Sequence, residues 1–343
     1  MREPPDISAE ALTASVQSGY GISVISLIFL PIGHDSSAWV YRVQAEDGGA
    51  YFLKVRRGAV HEPDLVVPSY LHDRGLSPVI TPMRPSLGAL WTGLDGYALI
   101  VYPYIEGRTG MEAGLTEDQW VAFGTAVRQI HATPLAPDLT RLVGRESFRP
   151  RWGGALQDWE AVRRLDELVT TESFADPAQR ELAVFWRVRS TQIRSLVGRA
   201  EDLARRLRRA TLPPVLCHAD LHTGNVLLDG QQHLWIVDWD ETVLAAKERD
   251  LMFVVGGISS ELVVPREEEW FFRGYGEVAI NPLALAYYRH AWAVQDIADF
   301  GEQVFTCPGL GVETKRAAAE LFTSLFEPGN IVDLSEDSDQ TTR

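Results

Sequence analysis

Residues 218–225, with the sequence HADLHTGN, decide how this chain is interpreted, together with IVDWD at residues 236–240. The first run has the pattern HxDxHxxN. The second is an apolar-apolar-Asp group that follows about a dozen residues later, after a predicted strand, turn and strand. From average residue usage, the four fixed residues of the first pattern would occur by chance about once per million starting positions. The two runs therefore indicate one specific site.

The two runs resemble the catalytic loop and the metal-binding Asp of the aminoglycoside phosphotransferase family, whose members are relatives of protein kinases. In phosphoryl transfer a carboxylate meets the acceptor hydroxyl, and a cation holds the phosphates and neutralises developing charge. By its place in the pattern, Asp220 is implied to be the catalytic residue that accepts or orients the acceptor proton. Asn225 and Asp238 supply the hard oxygen ligands that Mg²⁺ prefers. An Asx-turn at Asp220 and a strand-end cap at Asp238 are the less favoured alternatives.

The rest of the chain fits the fold that the resemblance implies, an α+β two-lobed protein-kinase-like fold. Such a fold has a small antiparallel β-rich N-lobe and a larger, mainly helical C-lobe. β-Branched and aromatic runs occur at 22–30, 39–43 and 51–55, and helical patterns begin after residue 115. We expect three parts: a nucleotide-binding lobe over 1–103, a catalytic and acceptor-binding lobe over 104–328, and a disordered acidic tail over 329–343.

Local patterns predict further elements. Residues 62–74 are expected to form a helix, and Thr116 with Gln119 makes a capping box ahead of another helix. Two short strand pairs are also expected, 87–91 with 97–102 and 215–217 with 234–237.

The first third of the chain has features of a nucleotide site. Lys54 is the one charged residue of the apolar run FLKV at 52–55, where kinases place the lysine that contacts the α- and β-phosphates. Its ion-pair partner is expected from the next helix, with Glu62 as the first choice and Asp64 as the second. Without the downstream pattern, such a lysine would be interpreted as an edge or surface residue.

Two other segments complete the predicted nucleotide site. The turn GHDSS at 33–37 takes the position of the phosphate-covering loop, although it keeps one glycine of the protein-kinase GxGxxG pattern. Ser36 and Ser37 offer hydroxyl and backbone N–H groups to phosphate, although Ser-rich turns are also common in hairpins. The segment YPYIEG at 102–107 resembles the family's interlobe hinge, where backbone groups meet the base of ATP or GTP. The hinge residues expected to bind nucleotide are Tyr102, Tyr104 and Ile105.

His218 and His222 lie four residues apart, which raises the question of a zinc site. Zinc at this spacing normally requires a helix and a third ligand, and the surrounding residues lack a helical pattern. The resemblance implies instead that both histidines shape the loop and that Asp250 buttresses it. Three roles stay open for Asp240: it lines the acceptor pocket, it binds a second metal ion, or it only accepts hydrogen bonds from backbone donors.

Composition excludes several classes of function. The net charge of −15 argues against nucleic-acid or anionic-membrane binding, both of which need clustered Lys and Arg, and it suits a small cationic partner. No stretch approaches the roughly 20 apolar residues of a membrane span. Two cysteines are too few for a disulfide framework, so we expect a cytoplasmic protein.

The acceptor is indicated by weaker signals. HATP at 131–134 and HAWAVQD at 290–296 look most like the spectinomycin phosphotransferases of this family, which modify a dicationic aminocyclitol and so imply antibiotic resistance. Asp296 and Asp299 lie at i and i+3 on one predicted helix, and Glu302 lies a further turn on. Facing a pocket, these carboxylates would bind ammonium groups as part of a substrate site. Facing water, they would be an ordinary solvated stripe.

Other functions stay open at this point. Kinases of choline, homoserine or fructosamine share this fold and differ in the acceptor. A non-catalytic nucleotide-binding or scaffold protein is disfavoured because Lys54, Asp220, Asn225 and Asp238 are all present. A protein kinase is disfavoured because only about ten residues separate Asp238 from Arg249, too few for a long activation loop.

Overall fold

The computed structural model describes residues 2–86, 88–148, 158–260 and 262–338. Its strands are β1 (Val24–Leu30), β2 (Ala38–Ala45), β3 (Ala50–Arg57), β4 (Thr92–Leu94), β5 (Tyr97–Pro103), β6 (Gly107–Thr109), β7 (Val215–Cys217), β8 (Val226–Asp229), β9 (Leu234–Ile236) and β10 (Val243–Ala245). Its helices are α1 (Ala9–Tyr20), α2 (Pro63–His72), α3 (Gly110–Ala113), α4 (Glu117–Ala132), α5 (Pro137–Val143), α6 (Asp158–Thr171), α7 (Pro177–Leu207), α8 (Glu248–Leu251), α9 (Pro265–Tyr275), α10 (Pro282–Phe305), α11 (Val312–Ser324) and α12 (Ile331–Ser338).

The chain divides into two compact units, each made of several segments. The first comprises the described residues up to Gln119, together with Thr133–Val143 and Thr223–Thr242. The second comprises Trp120–Ala132 and the described residues of 144–222 and from Val243 onward. The assignment of 1–103 and 104–328 as functional lobes stays a prediction, because a compact unit is not by itself a binding lobe.

The first unit is built on a five-stranded sheet with the strand order β1-β2-β3-β5-β4, in which every neighbouring pair is antiparallel. The β-branched and aromatic runs at 22–30, 39–43 and 51–55 thus form neighbouring antiparallel strands, as expected for the β-rich lobe. Alternate side chains of β2, β3 and β5 share one face and form a core. Fully buried members of this core are Val43, Leu53, Val55, Leu99 and Val101. Lys54 lies between two of them along β3, so it belongs to the opposite face.

The hairpin of β4 and β5 turns at Asp95-Gly96, as predicted, and both residues have positive φ, as a type I′ turn requires. This two-residue turn pairs Leu94 with Tyr97 and so fixes the register of the hairpin. The prediction of a strand at 87–91 is wrong. The two-residue turn places Thr92–Leu94, directly before it, opposite β5, and these are the residues that pair. Residue 87 itself lies outside the described residues.

Two small sheets take the place of the single strand pair expected from 215–217 and 234–237. β7 pairs with β10, whereas β9 pairs with β8, which also pairs with β6. Strands of three or four residues carry too short an alternation to identify their partners from sequence. The β8–β9 pairing matters for function because it fixes the positions of the residues at either end of that hairpin.

Helix starts follow local capping chemistry. α4 begins at the predicted capping box, in which Thr116 N–H donates to Gln119 Oε1 at 2.9 Å and Gln119 N–H donates to Thr116 Oγ1 at 3.3 Å. α1 lies outside the predicted elements. It is capped by Ser8 and buries Leu12 and Val16.

α10 is the central helix of the second unit, and most of its residues are buried. α6, α7, α11 and α12 pack against it. The prediction of a disordered tail from residue 329 is wrong for α12, in which Ile331, Val332 and Ser335 are buried. Residues 339–343 lie outside the described residues. Among the described helices, none combines the length and apolar character needed to cross a membrane.

Two glycines allow α4 and α9 to approach closely. A Cβ at Gly124 would lie 2.1 Å from the carbonyl oxygen of Phe271, and one at Gly274 would lie 1.9 Å from that of Val121. We expect Gly124→Ala to lower the free energy of unfolding by about 1–3 kcal/mol, because the helices must separate to admit the methyl group. Urea unfolding measures this change.

Gly198 on α7 provides the matched control for that experiment, since a Cβ there would meet nothing within 4 Å. Gly198→Ala is expected to stabilise the protein by about 0.5–1 kcal/mol, because alanine loses less backbone entropy in a helix. Equal effects of the two substitutions would contradict the close approach of α4 and α9.

Candidate active site

Lys54 is held in the first unit by two carboxylates that lie far from it in sequence. Its Nζ donates to Asp238 Oδ1 at 3.1 Å and to Asp240 Oδ2 at 2.7 Å. Burial by itself would lower the pKa of Lys54, but the charges of Asp238 and Asp240 outweigh burial and hold the pKa well above its usual value. The site therefore presents a charged ammonium group within the apolar run 52–55 of β3.

The prediction that Glu62 or Asp64 is the ion-pair partner of Lys54 is wrong in this structure. Glu62 is exposed because α2 starts one residue later, at Pro63. Asp64 is buried, but its Oδ1 lies 2.6 Å from His61 Nδ1 and its Oδ2 lies 3.7 Å from Arg56 Nη1. Lys54 forms its ion pairs with Asp238 and Asp240 instead.

Asn225 and Asp238 flank the β8–β9 hairpin on the same side. The N–H of Val237 donates to the carbonyl oxygen of Asn225 at 3.0 Å, which brings the two chain positions together. Asp238 has a φ of +61°, a left-handed conformation that costs a non-glycine residue about 1–2 kcal/mol. An amide oxygen and a carboxylate fit Mg²⁺, and the Asp238 side chain is 48% exposed, so an ion can reach it.

The 33–37 turn connects β1 to β2, as expected for the phosphate-covering loop. Both the N–H and the hydroxyl of Ser37 donate to Asp35 Oδ1, each at 2.7 Å. The donors predicted for phosphate at Ser37 are therefore engaged within the loop. Ser36 is half-buried, and Gly33 has the positive φ that opens the turn.

The hinge residues lie at the end of β5 and just beyond it. The ring of Tyr102 packs against that of Phe52 with centroids 6.4 Å apart. The N–H of Tyr104 donates to the carbonyl oxygen of Ala50 at 3.2 Å, so this amide is used within the sheet. Ile105 is half-buried. Their contacts with a nucleotide base stay a prediction.

In the second unit, Asp250 supports the first residues of the HADLHTGN run, His218 and Ala219. Its carboxylate accepts the N–H of His218 at 3.0 Å and that of Ala219 at 2.6 Å, and lies 2.9 Å from His131 Nε2. His131 Nδ1 in turn lies 2.8 Å from the hydroxyl of Tyr275. Ala219 has a φ of +71°, so this support holds a backbone conformation that alanine disfavours. The expected buttressing by Asp250 agrees with these contacts.

Asp250→Asn is expected to destabilise the protein by about 3 kcal/mol at neutral pH. An amide NH₂ group then replaces one buried carboxylate oxygen, and this donor faces groups that are themselves donors. Burial alone would raise the pKa of Asp250, but the hydrogen bond and charge of His131 outweigh it and lower the pKa. The stabilising contribution is therefore present above the unfolded-state pKa of about 4 and is lost as pH falls through the folded-state pKa.

Urea unfolding at several pH values checks this prediction. Asp138→Asn is the control, because the Asp138 side chain is 93% exposed. The Asp250 variant should lose part of the acid dependence that the wild type shows. An unchanged acid dependence with wild-type stability would contradict the buttress.

Asp220 lies just beyond the supported residues. Its N–H donates to His218 Nδ1 at 3.3 Å, and its Oδ1 lies 3.4 Å from His222 Nε2. The Asp220 side chain is 22% exposed, so a small molecule can reach it. Both histidines thus contact the loop itself, in agreement with a loop-shaping role.

One group of potential metal ligands lies behind this loop. His131, Cys217 and Asp250 place ligand atoms within 4.8 Å of one another. Burial raises the pKa of Cys217, which keeps it a thiol, and backbone donors already engage Asp250. The group therefore suits a structural role better than a metal site.

The three carboxylates predicted for the acceptor differ in burial and in their partners. Asp296 is half-buried, and burial first, then the charges of Asp299 and Asp220, hold its pKa well above the usual range. Asp299 is exposed. Glu302 pairs with Arg164 at 3.5 Å and belongs to the surface. Asp299 and Asp220 therefore act electrostatically on Asp296, which groups the three carboxyl groups in one region of the second unit.

His131, Tyr275, Arg56 and Trp292 were not among the predicted site residues. His131 and Tyr275 are connected to the 218–225 loop through Asp250, Arg56 bonds Asp240, and the Trp292 indole donates to Asp296. In the sequence each is an ordinary member of a helix or strand, although His131 lies in the HATP run and Trp292 in the HAWAVQD run that carried the resemblance.

Comparisons with known proteins identify relatives of this chain. The model of the family described as "Phosphotransferase enzyme family" matches residues 28–288. Protein StrN of Streptomyces griseus is 26% identical over 299 residues, which are 83% of this chain and 81% of that protein.

Solved structures are also similar. That of spectinomycin phosphotransferase APH(9)-Ia in complex with ADP and spectinomycin is 30% identical, with a TM-score of 0.85 over 98% of this chain and all of that one. That of amicoumacin kinase hAmiN, at 17% identity and a TM-score of 0.61 over 95% of each chain, shows a shared fold. The predicted α+β protein-kinase-like fold is confirmed. The chain belongs to the phosphotransferase enzyme family APH, whose members transfer phosphate to hydroxyl groups.

Proposed function

We propose that this chain transfers the γ-phosphate of ATP or GTP to a hydroxyl of a cationic aminocyclitol of the spectinomycin kind. The observation that carries the proposal is the carboxylate region of Asp220, Asp296 and Asp299, which suits ammonium groups beside a reacting hydroxyl. The similarity to a structure that holds ADP and spectinomycin supports the same acceptor class.

In this proposal the first unit handles the nucleotide. Lys54 contacts the phosphates, Ser36 and Ser37 cover them, and the backbone of Tyr102, Tyr104 and Ile105 meets the base. Lys54, Ser36, Ser37 and Tyr102 lie within the expected nucleotide-binding lobe over 1–103, and Tyr104 and Ile105 directly follow it. Asn225 and Asp238 would hold Mg²⁺, which when bound neutralises the charge that develops on the phosphates.

Asp220 handles the proton of the reaction. Its carboxylate accepts the proton of the acceptor hydroxyl as the oxygen attacks the γ-phosphorus. The new P–O bond forms on the acceptor, and the bond to the β-phosphate oxygen breaks to release ADP or GDP. The lobe over 104–328 would then carry both catalysis and acceptor binding. Because neither Cys217 nor Cys307 is in a disulfide, a reducing, cytoplasmic location fits this use of nucleoside triphosphates.

Acceptor affinity should depend on Asp296. We expect Asp296→Asn to raise the KM for spectinomycin about tenfold or more, because a charged hydrogen bond to an ammonium group is lost. The KM for ATP should stay unchanged. Because the pKa of Asp296 is raised, acceptor binding in the wild type should also strengthen as pH rises and Asp296 loses its proton.

Glu302→Gln is the matched control on the same helix, since Glu302 pairs with Arg164. Steady-state kinetics with each substrate varied in turn separate the two KM values. Equal KM values for spectinomycin in both variants would contradict an acceptor site at Asp296.

Resistance tests the proposed function in cells. A susceptible bacterial host that expresses the wild-type chain should grow at spectinomycin concentrations that stop the same host expressing Asp220→Asn. No difference between the two hosts, at equal levels of folded protein, would contradict a role in resistance.

A further inference from the structure

Arg56 lies two residues after Lys54 on β3, so the two cationic side chains share one face of the sheet. Arg56 Nη1 lies 2.9 Å from Asp240 Oδ2 and 3.7 Å from Asp64 Oδ2. Burial alone would lower the pKa of Arg56, but Asp240 and three further aspartates raise it. This arginine lies outside the motifs that predict the site from the sequence.

Asp64 explains why Arg56 keeps this position. The Asp64 side chain is 3% exposed, and its Oδ1 lies 2.6 Å from His61 Nδ1. Its buried Oδ2 has no hydrogen-bond partner among the described residues and faces Arg56. A buried carboxylate is costly unless an opposite charge compensates it, so α2 and Arg56 are coupled electrostatically.

Asp240 is shared between the two cations of β3. Its Oδ2 accepts from Lys54 Nζ at 2.7 Å and from Arg56 Nη1 at 2.9 Å. An anion that takes Lys54 away from Asp240 leaves this carboxylate still compensated by Arg56. Without Arg56, Asp240 would depend on Lys54 alone and would compete with the anion for it.

We propose that Arg56 is a positioning residue for nucleotide binding, anchored by Asp64, which holds Asp240 so that Lys54 is available to the phosphates. The proposal rests on the proposed function for the identity of the anion, a nucleoside triphosphate. Arg56 acts through Asp240 and Lys54 and does not itself touch the substrate.

Arg56→Gln tests the proposal, with Arg57→Gln as the matched control. Arg57 is the next residue on β3 and stacks on Trp39 and Tyr97, so its substitution makes the same charge change away from Asp240. Isothermal titration calorimetry with ATP, with and without magnesium, gives the dissociation constants, and kinetics give KM and kcat.

We expect Arg56→Gln to weaken ATP binding about tenfold even without magnesium, as for loss of one charged hydrogen bond. The KM for ATP should rise in parallel, whereas the KM for the acceptor should not change. Arg56→Lys, which keeps the charge, should recover part of the affinity. Arg57→Gln should bind ATP as the wild type does.

Folded Arg56→Gln that binds ATP as tightly as Arg57→Gln would overturn the proposal. If Arg56→Gln fails to fold, the double variant Arg56→Gln/Asp64→Asn removes both members of the pair. We expect it to fold and to bind ATP weakly, and wild-type affinity in it would overturn the proposal. A wild type that binds ATP but phosphorylates no acceptor would contradict the proposed function alone, whereas one that binds no nucleotide would overturn both.

Discussion

Asp220→Asn is expected to lower kcat by about 10²–10⁴-fold, the usual contribution of a positioned general base. The amide cannot take the proton of the acceptor hydroxyl. The affinity for ATP should stay within about twofold, because Asp220 is not assigned a contact with the nucleotide. Rapid-quench kinetics and calorimetric ATP titration measure the two quantities separately.

The control for this substitution is Asp202→Asn on α7, where the carboxylate pairs with Arg199 and Arg205 of the same helix. It should leave both kcat and ATP affinity at wild-type values. An Asp220→Asn enzyme with near-normal turnover would show that another group accepts the proton.

Lys54→Met is expected to weaken ATP binding about a hundredfold, because the phosphates lose a desolvated cation. Methionine keeps most of the side-chain volume, so the sheet should survive. The variant also leaves Asp238 and Asp240 facing each other without the shared ammonium group, which should slightly lower the melting temperature.

Calorimetry with ATP and thermal unfolding check these two effects. Lys315→Met on α11 is the control, because it removes the same charge from a lysine whose ion pair is weak. The Nζ of Lys315 lies 4.0 Å from Asp176 Oδ2, the longest distance that counts as an ion pair. If ATP affinity and turnover both survive Lys54→Met, the assignment of Lys54 to the phosphates is wrong.

The fold class was predicted from the family resemblance, whereas the strand that carries Lys54 was predicted from a local pattern. HADLHTGN at 218–225 places chemistry on a short loop, and FLKV at 52–55 makes a strand by composition. The roles of these residues stay predictions until the variants above are measured.

The pairing of Lys54 could not be predicted from sequence. Its partner Asp238 lies 184 residues away, and no local rule selects it over Glu62. The choice of Glu62 failed because Pro63 starts α2, which leaves Glu62 exposed outside the first turn. Proline at a helix start is a common pattern, and it would have argued for Asp64 as the more buried of the two.

Short strands were the other source of error. β7 and β9 are each three residues long, which is too short an alternation to identify the partner of either strand. The acidic tail was predicted as disordered from its charge. The buried residues of α12 show that a few apolar side chains outweighed that composition.

The central claim is tested most directly by measuring nucleoside diphosphate release with ATP and GTP across spectinomycin, other aminoglycosides, choline and homoserine, using Asp220→Asn as the blank. We expect release that depends on spectinomycin and on Asp220. Release with choline or homoserine and none with spectinomycin, or equal release by the wild type and the Asp220→Asn variant, would contradict the account.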